Sequence, residues 1–221
     1  MWERYNPEDF TFQRFQESEE ARLRYWAMST EMYQVLKAAR PNAAHLAIAD
    51  LHRMKRLDCV ITQNIDGLHQ AAGLPRDRVI ELHGTALEVG CLSCGKRYDR
   101  DEIQERLLRS SHAPRCEDCH GLLKPATISF GQQMPQRETA EAFRRAGQSD
   151  VFLVVGSSLV VQPAASLPLT AKKAGAVLVI LNRDPTPYDS LADTLIRGSA
   201  GEALKEIVEE VRRRIGPLPS P

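Results

Sequence analysis

Hydrophobic and polar positions follow two rhythms along this chain. Between Ser18 and Arg40 apolar residues (Leu23, Trp26, Ala27, Met32, Val35, Leu36) recur at helical spacing, which predicts one long helix with that row buried. Ser18 followed by Glu19 and Glu20 is the pattern of an N-cap with charges that suit a helix N-terminus. Pro41 stops this helix, and Asn42 caps a second one over 43–56, in which His45 reads as a structural or surface histidine. Elsewhere the apolar residues come in short runs: Val60-Ile61, Val79 to Leu82 (interrupted by Glu81), Val151 to Val155 and Ala176 to Leu181. Such runs fit strands covered on both faces of a parallel sheet. Ala126 to Gly131 reads as a further strand ending at glycine, and a last short one falls near 194–197. Helices are predicted over 65–72, 136–146, 164–174 and 200–214. Strands alternating with helices give an α/β fold, a doubly wound, Rossmann-like parallel sheet. Residues 1–17 read as a loop with short helical pieces, and 216–221 as a Pro-rich tail.

Two of the apolar runs deliver polar, titratable residues at their ends. Val60-Ile61 leads into Thr62-Gln63-Asn64-Ile65-Asp66-Gly67, and Val79 to Leu82 leads into His83-Gly84. In an open α/β sheet, ligands bind in the crevice beyond the carboxyl ends of the strands. Gln63 and Asn64 bring amide donors and acceptors, Asp66 a carboxylate, and His83 an imidazole that can serve as a base. Gly156-Ser157-Ser158 follows another buried run, and small residues there let backbone N–H groups approach a phosphate. Asn182, at the end of the run from 176, can bridge ribose hydroxyls.

Four of the five cysteines fall into two tight pairs, Cys91-x-x-Cys94 and Cys116-x-x-Cys119, with 21 residues between Cys94 and Cys116. Two knuckles of this kind supply four thiolates to a tetrahedral Zn²⁺ and leave water no place, so the expected site is structural. Paired redox motifs fit less well, because such motifs normally open a helix. Cys59 stands alone in an apolar run and reads as a small core residue.

Composition narrows the class. The 221 residues allow one domain with a small insertion, and Lys plus Arg equals Asp plus Glu at 29 each. No global charge therefore points to nucleic acid or to an anionic membrane. The N-terminal 25 residues are charged and aromatic, without a signal-type apolar stretch, and no run is long enough to span a bilayer. A cytoplasmic location is expected, and the oligomeric state is open.

The run TQNIDGLHQAAG followed by ELHG resembles the signature of the sirtuin family, the NAD-dependent protein-lysine deacylases, and the likeness extends over nearly the whole chain. The resemblance implies that Gln63, Asn64, Ile65 and Asp66 line the pocket for nicotinamide and its ribose, with His83 the general base. It implies that Gly156, Ser157 and Ser158 meet the NAD phosphates or ribose, Asn182 the adenosine side and Ala200 the adenine. Ile128, Phe130 and Gly131 match the segment that pairs with the backbone of an acylated-lysine protein or peptide, a form of β-augmentation. Cys91, Cys94, Cys116 and Cys119 match the family's zinc ribbon. The implied organisation is an NAD-binding domain over 1–85 and 126–221, with a zinc-binding insertion over 86–125. In the implied reaction the acyl oxygen attacks the ribose carbon as nicotinamide leaves. His83 then takes a proton from a ribose hydroxyl, and the acyl group ends on ADP-ribose.

Two features depart from the family pattern. Phe-Gly-Glu reads Phe130-Gly131-Gln132, which removes a charge beside the peptide groove. The glycine-rich loop of the form GAGxS…GIPxFR is absent, and Met1 to Tyr5 resembles the end of the mobile loop that follows it. The reading is a chain starting about one strand late, by a misplaced start codon or a truncated gene, with its first strand missing, weakened NAD binding and an exposed sheet edge. Two alternatives stay open at this stage: an inactive acyl-lysine-binding remnant, and a protein ADP-ribosyltransferase using the same cleft. Nicotinamide release separates the enzymes from the remnant, and transfer of label from NAD to protein separates the two enzymes. The stretch Ala27 to Tyr33 lacks the arginine that accompanies tyrosine in desuccinylating members, so a neutral acyl group, acetyl, is expected.

Overall fold

A computed structural model describes residues 10–215, so the first half of the predicted N-terminal loop and the Pro-rich tail lie outside the described residues. In chain order the first elements are α1 (Phe12–Glu17), α2 (Glu19–Ala38), α3 (Ala43–Arg53), β1 (Val60–Thr62), α4 (Leu68–Ala71), β2 (Val79–Glu81), β3 (Gly84–Cys91) and β4 (Arg97–Asp99). There follow α5 (Arg100–Leu108), β5 (Leu123–Thr127), α6 (Gln136–Ala146), β6 (Val151–Val155), α7 (Leu167–Lys173), β7 (Val177–Leu181), β8 (Thr194–Ile196) and α8 (Ala200–Ile215). They group into two compact units. The first takes the chain up to Ala39, Gln63–Gly67 and His83–Pro135; the second takes Arg40–Thr62, Leu68–Leu82 and the chain from Gln136 onward.

The first unit is built on an antiparallel sheet of order β4-β3-β5. Helix α2 begins where the capping pattern places it: the Ser18 hydroxyl accepts from Ala21 N–H, and Glu19 and Glu20 occupy the first turn. An N-cap of this kind contributes about 1 kcal/mol. The buried face of α2 differs from the predicted row. Arg22, Tyr25, Trp26, Ser29 and Tyr33 are buried, whereas Leu23 and Val35 are exposed. Hydrogen bonds offset part of the desolvation of these polar groups, while Arg22 Nε and Trp26 Nε1 stay buried without a partner among the described residues. Arg22 donates to the carbonyls of Phe15 and Gln16, each at 3.0 Å. Arg100, fully buried at the start of α5, lies between the rings of Trp26 and Tyr33, 4.9 and 4.8 Å from their centres, and donates to Ser29 Oγ at 3.3 Å. Burial draws the Arg100 pKa down to about 10. Around this contact Phe15, Trp26, Val89, Ile103 and Leu123 form one apolar core. Burying a large apolar side chain stabilises by about 1.5–3 kcal/mol.

The predicted strand over 126–131 is shifted: β5 runs over Leu123–Thr127. Its partner β3 dictates this, since Gly90 and Cys91 pair with Lys124 and Leu123 while pairing at the other end reaches Gly84 opposite Thr127. The predicted helix over 65–72 shortens to α4, leaving 63–67 as an extended loop tied to β3 by Ala86 N–H to the Ile65 carbonyl at 2.9 Å.

The second unit holds the parallel strands. β1 pairs with β2, and β6-β7-β8 form a second parallel sheet, so the α/β architecture is present as two sheets among the described residues. The runs Val151–Val155 and Val177–Leu181 pair residue for residue. Leu51, Leu181, Leu204 and Val208 form the core joining α3, β7 and α8. Asn42 caps α3 in a capping box closed by His45, which is buried, the structural role expected of it.

Candidate active site and metal centre

The first unit gathers twelve of the predicted site residues, the four cysteines and eight others. β3 and β5 fix His83 at a turn that only glycine can follow. Gly84 has φ +70, and a Cβ there would stand 1.9 Å from the Ala126 carbonyl oxygen. The His83 carbonyl accepts from Ile128 N–H at 2.9 Å. Its imidazole Nδ1 is 3.0 Å from the Gln63 carbonyl oxygen. A carbonyl can only accept, so Nδ1 carries the proton and Nε2 presents its lone pair. Gln63, Asn64, Ile65 and Asp66 line the same loop, closed by Gly67 at φ +68, where a Cβ would meet Leu87 at 2.5 Å. His83 and Gln63 are half-buried and Asn64 is exposed, so the loop is reachable from solvent.

Beyond β5, the segment carrying Ile128, Phe130 and Gly131 is fixed from behind. Tyr25 Oη lies 3.2 Å from both Thr127 Oγ1 and Ser129 Oγ. Lys124, 1% exposed, donates from Nζ to the Thr127 carbonyl at 2.5 Å, with Nζ 5.2 Å from the centre of the Tyr25 ring. Phe12 N–H donates to the Phe130 carbonyl at 2.9 Å. Gln132, at the position that departs from Phe-Gly-Glu, closes the turn: its Oε1 accepts from Ser129 N–H at 3.1 Å, and its own N–H donates to the Ser129 carbonyl at 3.0 Å. An amide oxygen there does the capping that a carboxylate could do. Phe130 and Gly131 are exposed.

The other five predicted residues belong to the second unit and all follow strand ends. Gly156 leaves β6 at φ +60 with its N–H donated to the Leu181 carbonyl at 2.9 Å; nothing lies within 4 Å of a would-be Cβ, so a ligand has room to approach there. Ser157 Oγ accepts from Leu159 N–H at 3.3 Å, which leaves the hydroxyl proton to donate. Asn182 follows β7; its side-chain amide donates to the Asp184 carbonyl at 2.8 Å, leaving Oδ1 to accept. Ser158 is exposed, and Ala200 opens α8.

The metal centre is built twice over from one knuckle. Gly95 N–H donates to the Cys91 carbonyl and His120 N–H to the Cys116 carbonyl, each at 3.0 Å; Cys91 N–H and Cys116 N–H donate to Lys96 and Gly121, each at 2.9 Å. The four sulfurs of Cys91, Cys94, Cys116 and Cys119 lie within 4.8 Å of one another, with Cys91–Cys119 at 3.5 Å and Cys94–Cys116 at 3.7 Å. A tetrahedral zinc with metal–sulfur bonds of about 2.3 Å needs sulfurs about 3.8 Å apart, so the donor set fits. Cys91 and Cys116 are buried, Cys94 and Cys119 exposed. Tyr98 Oη accepts from Glu117 N–H at 3.2 Å, so its proton points to Cys116 Sγ at 3.1 Å. That bond helps hold the Cys116 thiol down at about 6. Cys59 stands outside the cluster, half-buried ahead of β1, and burial pushes its thiol up to about 11.

Tyr25, Tyr98 and Lys124 are absent from the sequence-based site. Tyr98 carried a weak signal, one aromatic residue between the charged Arg97 and Asp99. Lys124 carried none, because a lysine between Leu123 and Pro125 gives no sign of burial.

Comparison with known proteins places these features in context. The family model described as Sir2 family matches residues 1–163. An NAD-dependent protein deacetylase of Rhodopseudomonas palustris is 42% identical over 208 residues, 94% of this chain and 81% of that protein. An NAD-dependent protein deacylase 2 of Archaeoglobus fulgidus is 46% identical over 215 residues, 96% of this chain and 82% of that one. A solved structure described as Sir2 bound to acetylated peptide has a TM-score of 0.86 at 36% identity, covering 94% of this chain and 85% of its own.

Proposed function

The chain belongs to the Sir2 family and is an NAD-dependent protein-lysine deacylase, and we propose that His83 is the general base of its reaction. It removes an acyl group from lysine, consumes NAD and releases nicotinamide. The observation that carries the role of His83 is the bond from its Nδ1 to the Gln63 carbonyl, which leaves Nε2 to take a proton. A positioned base of this kind contributes roughly 10²–10⁴-fold.

The remaining assignments belong to the same proposal. Gln63, Asn64, Ile65 and Asp66 hold the nicotinamide ribose. Gly156, Ser157 and Ser158 meet the phosphates or the neighbouring ribose, and Asn182 and Ala200 the adenosine end. The open space beside Gly156 and the free donor of Ser157 support this division. Ile128, Phe130 and Gly131 take the acyl-lysine peptide as an added strand. Zinc on the four cysteines supplies folding free energy and no chemistry at the reacting bond. The metal-bearing segment 86–125 is an insertion into an NAD-binding portion formed by 1–85 and 126–221.

Acetyl is the proposed acyl group. Between Ala27 and Tyr33 no side chain is a cation, and the Tyr33 hydroxyl is engaged by Asp101 at 3.0 Å. A cytoplasmic setting fits four thiols kept reduced for metal; no helix among the described residues is long and apolar enough to cross a membrane.

Incubation with NAD and an acetyl-lysine peptide tests the reading. Nicotinamide and free lysine peptide should appear together, and a succinyl-lysine peptide should react far more slowly. Label passing from NAD to protein without deacylation would instead establish an ADP-ribosyltransferase, and no nicotinamide at all an inert binder.

A further inference from the structure

Lys124 buries its amine with no carboxylate partner among the described residues. It lies near the start of β5, an edge strand of the first unit's sheet, opposite Gly90 on β3, and is 1% exposed. A lysine at such a depth costs several kcal/mol of desolvation unless its donors are used. Its ammonium is used on oxygen dipoles of its own strand, the carbonyls of Thr127 at 2.5 Å and Pro125 at 3.4 Å, and on the face of Tyr25. Burial pulls its pKa down.

Tyr25 is held in turn. Its ring meets Phe15 edge-on at 5.1 Å, and its hydroxyl reaches Thr127 and Ser129, the two residues flanking Ile128. Side chains alternate across an extended segment, so anchoring 127 and 129 inward turns 128 to the opposite side. The Ile128 N–H is spent on His83, which ties the same segment to the base. A methionine at 124 would fill the same space without the desolvation cost, so bulk alone does not account for the lysine.

We propose that Lys124, acting through the Thr127 carbonyl and Tyr25, is a positioning residue that sets the segment Ile128–Gly131 to receive the acyl-lysine peptide. This rests on the reading that the segment pairs with the peptide backbone. Lys124 touches neither peptide nor NAD; it fixes the register of the receiving strand.

The test uses the whole chain and a fluorescent acetyl-lysine peptide. Lys124→Met should weaken peptide binding by about tenfold, the scale of losing one hydrogen bond from a charged donor, with NAD affinity and melting temperature not reduced. Tyr25→Phe keeps the ring beside Lys124 and loses only the hydroxyl bonds, so its loss should be smaller and in the same direction. Lys124→Met with peptide affinity within about twofold of the parent overturns the assignment, as does parallel loss of peptide and NAD binding or a collapsed melting curve. An acetyl-lysine peptide N-methylated along its backbone separates the two levels. Equal binding of methylated and unmethylated peptides by the parent chain overturns the pairing reading and this proposal with it. Selective binding of the unmethylated peptide, with Lys124→Met behaving as the parent, overturns the Lys124 assignment alone.

Discussion

The imidazole Nδ1 of His83 donates to the main-chain carbonyl of Gln63 across 3.0 Å. Because the acceptor is main chain, substitution of the Gln63 side chain leaves this bond in place, and the tautomer with Nε2 unprotonated is set by the fold. His83→Ala is expected to keep the melting curve and lose deacylation by roughly 10²-fold or more. Exchange of labelled nicotinamide into NAD, which precedes proton removal in the reaction the resemblance implies, should suffer less. Deacylation by His83→Ala at the parent rate would place the base elsewhere.

The metal centre gives a graded prediction. Atomic absorption should find about one zinc per chain, and Cys116→Ser should lose the metal and melt lower, since structural zinc binding is folding free energy. Tyr98→Phe removes only the hydroxyl that donates to Cys116. It should keep its zinc but surrender it to a chelator about tenfold or more faster, the usual range for a partner that orients a metal ligand. Unchanged release from Tyr98→Phe would reduce that bond to packing.

Gly84 and Gly73 make a matched pair, both with positive φ, +70 and +106. An alanine at either pays the left-handed penalty, about 1–2 kcal/mol. At Gly84 the new Cβ also collides with the Ala126 carbonyl, whereas at Gly73 nothing lies within 4 Å. Gly84→Ala should therefore melt lower than Gly73→Ala by at least a further ~2–4 °C, the scale of 1 kcal/mol in a chain of this size. Equal melting temperatures would show that β5 moves aside freely.

At alkaline pH the informative group is Tyr33. Burial, and then the hydrogen bond to Asp101, raise its pKa from 10.0 to about 12. A raised folded pKa means that its contribution is complete below about pH 10 and fades as pH climbs through about 12. Absorbance titration of the phenolates should show a late step near pH 12 that disappears in Tyr33→Phe. A titration of Tyr33→Phe that overlays the parent would contradict the assignment.

Much of this molecule was legible because the signals were local. Ser18 and Asn42 cap helices through bonds made within three residues, and each cysteine knuckle closes within five. The apolar runs of β6 and β7 needed only their own composition. The buried face of α2 was misjudged because its polar members, Arg22 and Ser29, bond to groups that spacing cannot reveal, the carbonyls of Phe15 and Gln16 and the guanidinium of Arg100. The ends of β5 were misplaced for a related reason: β3 assigns them, and nothing within 123–131 states where the partner begins. The site residues His83 and Gln63 stood out as chemistry, but the bond between them became visible only once the two strand ends were folded together.

The contacts that fix the receiving segment also set an order of events in folding. Tyr25 and Thr127 are 102 residues apart, and Tyr33 and Asp101 are 68 apart, whereas Cys91 and Cys119 are separated by 28. Loop-closure entropy grows with separation, and non-local contacts form late. The knuckles can capture metal while α2 is still undocked, so on refolding zinc uptake should run ahead of Trp26 burial. Peptide affinity should return with Trp26 burial, leaving a transient species that holds metal but cannot yet recognise its substrate. Stopped-flow recording with a zinc indicator and tryptophan emission would resolve the two phases, and simultaneous traces would mean that helix docking and metal capture are one step.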